Sequence, residues 1–300
     1  MNARRSQLLW FWLFTGPALL GFVCFSLWPM LHSLWLSFCQ DDVVTPSRFI
    51  GLRNYTYLFT HDPAFWTSVK VTLIFTVVQV PLSVIAALAL ALMLNEPVRG
   101  RGFWRSVYFL PAILPQAAFA VIFGFIFQAD GGLLNELLKL GGIKGLAWTT
   151  SPDWALPVLI AMSLWAFGYP MVIFLGGLQG VPRELYEAAR MDGAGPWSRL
   201  RHITLPLISP VIFFNLVMGV IGSLKIFDLA YAFSVAQGPA IQPGGPARST
   251  LFYGLNLYQQ AFGFFHMGLA SAMAWLLFIF IVLITVFNFR FSRRWVHYEN

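Results

Sequence analysis

Few side chains of this 300-residue sequence have the types and spacing that catalysis requires. The twelve acidic residues are scattered, most of them in loops, so no paired carboxylates and no Ser–His–Asp arrangement can be identified. His32, His202 and His266 are isolated, without partners at the spacing of a metal site. None of the four lysines follows a glycine, which excludes the G-x-x-x-x-G-K-[ST] loop that cradles nucleotide phosphates. We therefore expect no catalytic residue, no metal site and no cofactor bound by this chain.

Two charged residues lie at the end of an otherwise apolar stretch. Lys225 and Asp228 are three residues apart, so they could pair on one face of a helix. Where such a stretch crosses a membrane, a charge within it is a functional hypothesis by default. Two interpretations stay open: a mutually neutralised pair at the membrane surface, or the polar wall of a path or gate.

The composition indicates that a lipid bilayer surrounds most of the chain. Hydrophobic residues make up 58% and charged residues 10%, whereas a soluble domain has about 45–50% apolar and about 25% charged residues. The mean hydropathy of +0.70 agrees. These values exclude a soluble enzyme, a secreted disulfide framework and a disordered protein. The basic residues behind the net charge of +7 are scattered singly, which favours a membrane surface over nucleic acid as their partner.

Six apolar runs, of which only the fifth contains charged residues, are long enough to cross about 30 Å of hydrocarbon as helices that rise about 1.5 Å per residue. They lie within residues 6–40, 71–94, 107–128, 154–178, 207–230 and 267–289. The first is expected to break at Gly16-Pro17 and Trp28-Pro29. The runs are continuous rather than alternating in polarity, which disfavours a β-barrel. The sequence therefore predicts an all-α polytopic membrane protein with six transmembrane helices, a single domain over residues 1–300 whose core spans lie in 71–289.

The basic residues also predict the orientation of the chain. Twelve of the nineteen fall on the side of the N terminus and six on the opposite side. Because loops rich in Lys and Arg stay in the cytoplasm, both termini are predicted to be cytoplasmic. The compartment is then a bacterial or archaeal cytoplasmic membrane. A short amphipathic helix within residues 131–142 is expected to lie on its outer surface.

The cytoplasmic stretch 181–206 reads VPRELYEAARMDGAGPWSRLRHITLP. Pro182 suits a helix start, and Leu185 and Ala188 share a face with Ala189. The pair Asp192-Gly193 should end this helix, because glycine readily takes a positive φ, and Pro196 should open a second one. The sequence predicts a helix–turn–helix outside the bilayer, either packed on its own bundle or free to receive a soluble partner.

Within this stretch, Glu187-Ala188-Ala189, Asp192-Gly193-Ala194 and Leu205-Pro206 resemble the EAA loop of the permeases of bacterial ATP-binding-cassette (ABC) importers. Residues 181–206 are called the EAA segment below. Further similarities cover almost the whole chain, and they include Gly244-Gly245-Pro246, residues 268–272 and residues 293–298. The chain is most similar to the carbohydrate permeases, such as those for maltose and glycerol 3-phosphate. The resemblance implies the type I importer permease fold.

The resemblance also implies partners. ATP and Mg would be bound by two cytoplasmic ATPase subunits, a second homologous permease would form a heterodimer with this chain, and an extracytoplasmic solute-binding protein would deliver the solute. Membrane lipid would surround the chain, and no nucleic acid is implied. The residues expected to couple the permease to the ATPase are Glu187, Ala188, Ala189, Asp192 and Gly193. ATP-driven closure would then switch the permeases between inward-facing and outward-facing states.

A sugar needs flat aromatic faces for its C–H surfaces and polar partners for its oxygens. The residues predicted on this basis to line the path are Trp165, Tyr169, Asn215, Ser223, Lys225, Phe227 and Asp228. Asn215 and Ser223 form a stripe with Gly219, which equally suits close packing of helices. Aromatic residues near span ends also form interfacial belts.

The sequence does not identify the solute. Disaccharide, polyol and glycerol 3-phosphate or glycerophosphodiester importers use similar permeases, and Lys225 leaves a phosphorylated solute open. A remote alternative is an intramembrane transferase enzyme. Such an enzyme would need clustered aspartates around a divalent metal, whereas Asp192 has no aspartate near it in the sequence.

Overall fold

The computed structural model describes residues 3–96, 99–236 and 244–296. Helices dominate these residues, and strands β1 (Cys39–Gln40) and β2 (Arg48–Phe49) form a short antiparallel hairpin. By internal packing the chain divides into two units, Met1–Asp62 with Leu257–Ile279, and Pro63–Asn256 with Phe280–Asn300. His297 and Tyr298, part of the similarity at the C terminus, lie outside the described residues.

The first unit begins with a long, largely exposed helix. α1 (Ala3–Phe22) continues through a π-helical turn, Val23–Leu27, into α2 (Trp28–Ser37). The helix runs through Pro17 without interruption, so the break predicted at Gly16-Pro17 is wrong. The long helix is instead irregular at its π-helical turn, which ends directly before the second predicted break, Trp28-Pro29.

The hairpin of the first unit is fixed by one buried amide. Asn54 of α3 (Arg53–Thr60) donates hydrogen bonds to the carbonyl oxygens of Ser37 and Cys39, both at 2.9 Å. These carbonyls lie at the end of α2 and the start of β1, where the helix no longer supplies donors. A second π-helical turn, Gln259–Gly263, also belongs to this unit.

The remaining helices follow in chain order. They are α4 (Pro63–Asn95), α5 (Arg101–Ile113), α6 (Gln116–Ile126), α7 (Leu133–Leu140), α8 (Pro152–Leu164), α9 (Gly168–Gly180), α10 (Arg183–Met191), α11 (Pro196–Arg199), α12 (Leu205–Leu207), α13 (Ser209–Leu224), α14 (Asp228–Ala236), α15 (Tyr253–Tyr258) and α16 (Met267–Ser292). A π-helical segment, Leu200–Thr204, joins α11 to α12, and a 3₁₀ turn, Pro246–Arg248, precedes α15. α4 begins at Pro63, before the predicted residue 71, because proline is well tolerated at a helix start.

Two hydrophobic cores in the second unit share α4. The first half of α4 packs with α6, α8 and α14 around Phe75, Leu159 and Phe233, which we call the α4–α8 core. The second half packs with α9 around Ala87 and Phe174, which we call the α4–α9 core. α4 is therefore the helix around which the second unit is organised.

Among the residues that the structure describes, three helices are long and apolar enough to cross a membrane: Trp10–Ser37, Pro63–Asn95 and Met267–Ser292. Three bent pairs raise the number to six if each pair is one span. They are Arg101–Ile113 with Ala118–Ile126, Pro152–Leu164 with Gly168–Gly180, and Pro196–Leu207 with Ser209–Leu224, bent by 101°, 43° and 67°. The all-α architecture with six spans thus agrees with the prediction.

The bends correct three of the predicted spans, since residues 107–128, 154–178 and 207–230 are not continuous helices. Leu114 is extended (φ −65°, ψ 137°) because it precedes Pro115. The break before α9 places Gly168 so close to α5 that an added Cβ would lie 2.9 Å from the carbonyl oxygen of Tyr108. α13 ends at Leu224, so residues 225–227 separate it from α14.

Candidate functional site

The EAA segment forms the predicted helix–turn–helix. α10 ends in a Schellman arrangement, in which the N–H of Ala194 donates to the carbonyl of Ala189 at 2.8 Å and that of Gly193 to Arg190 at 3.0 Å. Gly193 has φ +76°, a conformation that other residues adopt only with strain. The glycine is therefore required by the turn itself, as the sequence predicted.

The inner face of the EAA segment is attached to the bundle at few points. Tyr186 and Ile203 pack against the α4–α9 core. The Tyr186 hydroxyl and Thr204 Oγ1 lie 2.9 Å apart and share a hydrogen bond that joins the two arms of the helix–turn–helix. This hydrogen bond connects the two arms to each other, and the packing of Tyr186 and Ile203 connects them to α4 and α9.

The outer face is left uncovered. Met191 and Trp197 have exposed fractions of 89% and 72%, and Leu185 is exposed on the same segment. Of the predicted coupling residues, Glu187, Ala188, Asp192 and Gly193 are exposed, and Ala189 is half-buried. Within the described residues, the carboxylates of Glu187 and Asp192 make no hydrogen bond or ion pair. The exposed surface thus combines large apolar side chains with two unpaired carboxylates.

The predicted path residues Trp165 and Tyr169 lie on either side of the break between α8 and α9. Both are exposed, and each contacts an aromatic ring of the neighbouring broken pair. Trp165 lies 6.2 Å from Phe123 and Tyr169 lies 5.2 Å from Phe109, both edge-on. The two breaks therefore lie side by side, with exposed aromatic surfaces next to them.

Asn215 and Ser223 are buried, and each donates to a carbonyl of its own helix, Val211 and Val220 respectively. A Cβ at Gly219 would lie 3.0 Å from Cγ1 of Val80 on α4. In this conformation the stripe packs against α4, and its role in a path stays a prediction.

Lys225 and Asp228 do not share a helix face, contrary to the pairing considered from their spacing. Lys225 ends α13 and Asp228 begins α14, and among the described residues they form no ion pair with each other. Each charge instead complements the dipole of its own helix end. Both are exposed, and between them the half-buried Phe227 stacks on Tyr231 at 5.4 Å.

Asn135 is a structural residue that sequence reasoning missed. It is buried at the start of α7 and donates to the carbonyls of Ala129 (2.8 Å) and Leu146 (2.9 Å). Its Oδ1 accepts from Leu146 N (3.1 Å) and Trp148 Nε1 (2.7 Å). The sequence offered no signal beyond a polar residue in an amphipathic helix, because the partners lie in the loops on both sides.

Helix α7 is amphipathic, as predicted. Leu133, Leu137 and Leu140 are exposed, and Lys139 Nζ lies 2.7 Å from Glu136 Oε1. The hydrogen bond that Lys139 donates to Glu136, together with the charge of Glu136, raises the pKa of Lys139 above its usual value, and the charge of Asp130 contributes less. Across the described ranges, no group of three or more His, Cys, Asp or Glu residues comes close enough to hold a metal ion.

Comparison with known proteins places these features in a family. The family model described as "Binding-protein-dependent transport system inner membrane component" matches residues 79–297. This range includes the whole EAA segment and all three bent helix pairs.

Relatives that the chain matches over most of their length belong to the same kind of protein. The chain is 42% identical over 289 residues to the probable ABC transporter permease protein YesP of Bacillus subtilis (strain 168), covering 96% of this chain and 91% of that protein. It is 37% identical over 281 residues to the lactose transport system permease protein LacF of Rhizobium radiobacter, covering 93% and 91%. One chain of a bacterial alginate ABC transporter, crystallised with an alginate pentasaccharide-bound periplasmic protein, has the same fold. Its TM-score is 0.82 at 23% identity, covering 97% of this chain and 96% of that one.

Proposed function

Because this chain belongs to the family of binding-protein-dependent transport system inner membrane components, as a carbohydrate-type ABC permease, we propose that it moves a sugar or sugar-like solute into the cytoplasm by alternating access. The type I importer fold agrees with such a role. Relatives named as permeases, one of them for lactose, favour a carbohydrate as the solute.

The observation that carries the proposal is the uncovered outer face of the EAA segment. Met191 and Trp197 expose large apolar surfaces at the turn and second arm, and the exposed Glu187 on the first arm offers a carboxylate without a partner among the described residues. Exposed aromatic and apolar anchors with a polar surround are typical of protein docking sites. An ATPase subunit seated there would receive Glu187 as a polar contact and the two alanines as a close-packed surface.

The proposal divides the work among several chains. ATP and Mg would be held by two cytoplasmic ATPase subunits, which supply the energy. A second homologous permease would complete a heterodimer in the cytoplasmic membrane, and an extracytoplasmic binding protein would deliver the solute. Movement of the ATPases would reach the bundle through Tyr186 and Ile203, because these side chains pack on the α4–α9 core.

The break between α8 and α9 supports a solute path near Trp165 and Tyr169. Their exposed rings offer the flat faces that sugar C–H surfaces prefer. Lys225 and Asp228, which form no ion pair with other described residues, supply polar groups at the break between α13 and α14. Phe227, Asn215 and Ser223 complete the proposed path if the helices separate during the transport cycle.

The experiment is reconstitution of the transporter in proteoliposomes. The chain is purified with its co-purifying partners and supplied with ATP, the binding protein, and labelled lactose, maltose, trehalose or glycerol 3-phosphate. We expect ATPase activity only when the cytoplasmic subunit is present, and saccharide uptake only with ATP and the binding protein. ATPase activity from this chain alone, or ATP-independent uptake, would refute the proposal.

A phosphorylated solute is the second candidate, since Lys225 is exposed and forms no ion pair within the described residues. A thermal-shift screen of the binding protein with the same four compounds separates the two. Stabilisation by a saccharide supports the first candidate, and stabilisation by glycerol 3-phosphate alone supports the second.

A further inference from the structure

A cavity of about 370 Å³ lies in the second unit, lined by residues of α6, α14 and the loops on both sides of α7. We call it the outer cavity; its apolar wall includes Phe125 and Phe233, and its polar wall consists of Gln128, Asp130, Thr149 and Thr150. Its volume falls in the range of about 300–1,000 Å³ that small-molecule sites occupy. The full length of α8 and α9 separates Thr150 from the EAA segment.

The polar wall of the outer cavity is unsatisfied by the protein. The side chains of these four residues, Gln128, Asp130, Thr149 and Thr150, make no hydrogen bond with the described part of the chain. Gln128, Asp130 and Thr150 are exposed, and Thr149 is 7% exposed. Their polar groups can therefore exchange hydrogen bonds with a molecule that enters the cavity.

The cavity wall is held in place rather than loosely arranged. Asn135 binds the carbonyl of Ala129, which lines the cavity, and the indole of Trp148, which directly precedes Thr149. The Trp148 ring also packs edge-on against Phe127 and Trp154. The chain segments that carry the amide, carboxylate and hydroxyl groups are thus held by buried contacts, which favours a pre-organised site.

The charge of the wall restricts the class of ligand. Asp130 contributes a carboxylate that forms no ion pair with the described residues, and the nearby Lys139 donates its hydrogen bond to Glu136 instead. An anion would be repelled, whereas a neutral molecule rich in hydroxyls can donate to the carboxylate and exchange hydrogen bonds with the amide and both threonines. The ring of Phe125, largely exposed at the edge, offers an apolar face to C–H groups.

We propose that the outer cavity is a binding subsite for a neutral polyhydroxylated solute, occupied before the solute enters the path near Trp165 and Tyr169. This inference rests on the proposed function and adds to it the charge class of the solute and a second place of contact. The subsite would bind saccharides and discriminate against phosphorylated compounds.

The test uses the complete permease–ATPase complex in lipid nanodiscs, without the binding protein. The probe is the saccharide of the four-compound panel that the wild-type transporter carries fastest, and its dissociation constant is measured by saturation-transfer NMR. Thr149→Val removes one hydroxyl and is expected to raise this constant about three- to tenfold, the effect of one lost hydrogen bond. Thr149→Ser should restore it. The matched control is Thr56→Val on α3, whose exposed hydroxyl bonds its own helix and should not affect binding.

The charge class is tested with Asp130→Asn, with Asp153→Asn outside the cavity as its control. For a neutral solute the dissociation constant stays equal or rises, whereas a fall would show that an anion binds and would overturn the inference. Unchanged binding in Thr149→Val, or no binding by the wild-type complex that carries the probe, would overturn it as well. Absence of uptake of every panel saccharide is a different outcome, because it refutes the proposed function itself.

Discussion

The EAA segment and the loop around α7 are built alike but attached differently. Each contains a short amphipathic helix of eight or nine residues that ends near a glycine of positive φ, Gly193 or Gly142. The α7 loop is fixed by four hydrogen bonds to Asn135. The EAA segment has one side-chain bond between its arms, Tyr186 to Thr204.

The difference indicates what each region does. A loop fixed through a buried amide presents a constant surface, which suits a site where solute arrives. A segment that packs on the bundle by a few side chains and exposes the rest can move with a partner seated on it. The following predictions test this contrast between a fixed outer loop and a movable inner segment.

The largest effect on transport is expected from Gly193→Val. A β-branched residue at φ +76° costs roughly 1–2 kcal/mol and should distort the turn, so we expect uptake to fall about tenfold while ATPase activity persists. Uptake into proteoliposomes is the measurement. Gly195→Val is the matched control, because Gly195 has φ −69° with no atom near its Cβ position. Equal uptake by the two variants would contradict a special role for the turn.

Asn135→Ala should loosen the fixed outer loop. Losing four hydrogen bonds, with partners left buried, is expected to lower the free energy of unfolding by about 2–4 kcal/mol. Thermal unfolding of the purified protein measures this, and proteolysis within residues 129–148 should increase. Asn288→Ala removes a single bond to its own helix and should cost much less. A similar loss in both variants would mean that the loop is not held by Asn135.

Reversing one charge on the movable segment should weaken the partner's attachment. Glu187→Lys is expected to reduce ATPase retention in a detergent pull-down by about fivefold, because an exposed docking carboxylate becomes a cation. Glu136→Lys makes the same change on α7 and should leave retention intact. Retention unaffected by Glu187→Lys would count against docking at this face.

The smallest effect is expected from Tyr186→Phe. Removing the bond to Thr204 should cost about 0.5–1.5 kcal/mol locally, visible as faster hydrogen exchange across residues 183–204. Combining it with Thr204→Val should add little, since both changes delete the same bond. Additive effects would show that the two hydroxyls act separately.

The EAA segment was predictable because single residues within it begin and end its helices. Pro182, Gly193 and Pro196 each act through their own backbone conformation, so helix ends could be read within one or two residues. The existence of apolar spans was equally accessible, because crossing a bilayer demands length and composition.

The breaks and the cavity were less accessible because they depend on contacts between distant segments. Apolar composition continues across residues 165–167, and only the approach of Gly168 to α5 reveals why the helix stops there. Asn135 looks like any polar residue of an amphipathic helix until its loop partners are known. The outer cavity combines Phe233 with residues more than eighty positions earlier, a juxtaposition that no local pattern contains.

The arrangement at Lys225 and Asp228 has a consequence for how this region can vary. Each charge is compensated by a separate helix end. Replacing one of the two residues therefore does not leave the charge of the other uncompensated. A relative could therefore exchange either residue alone, without the compensating change that an ion pair would demand.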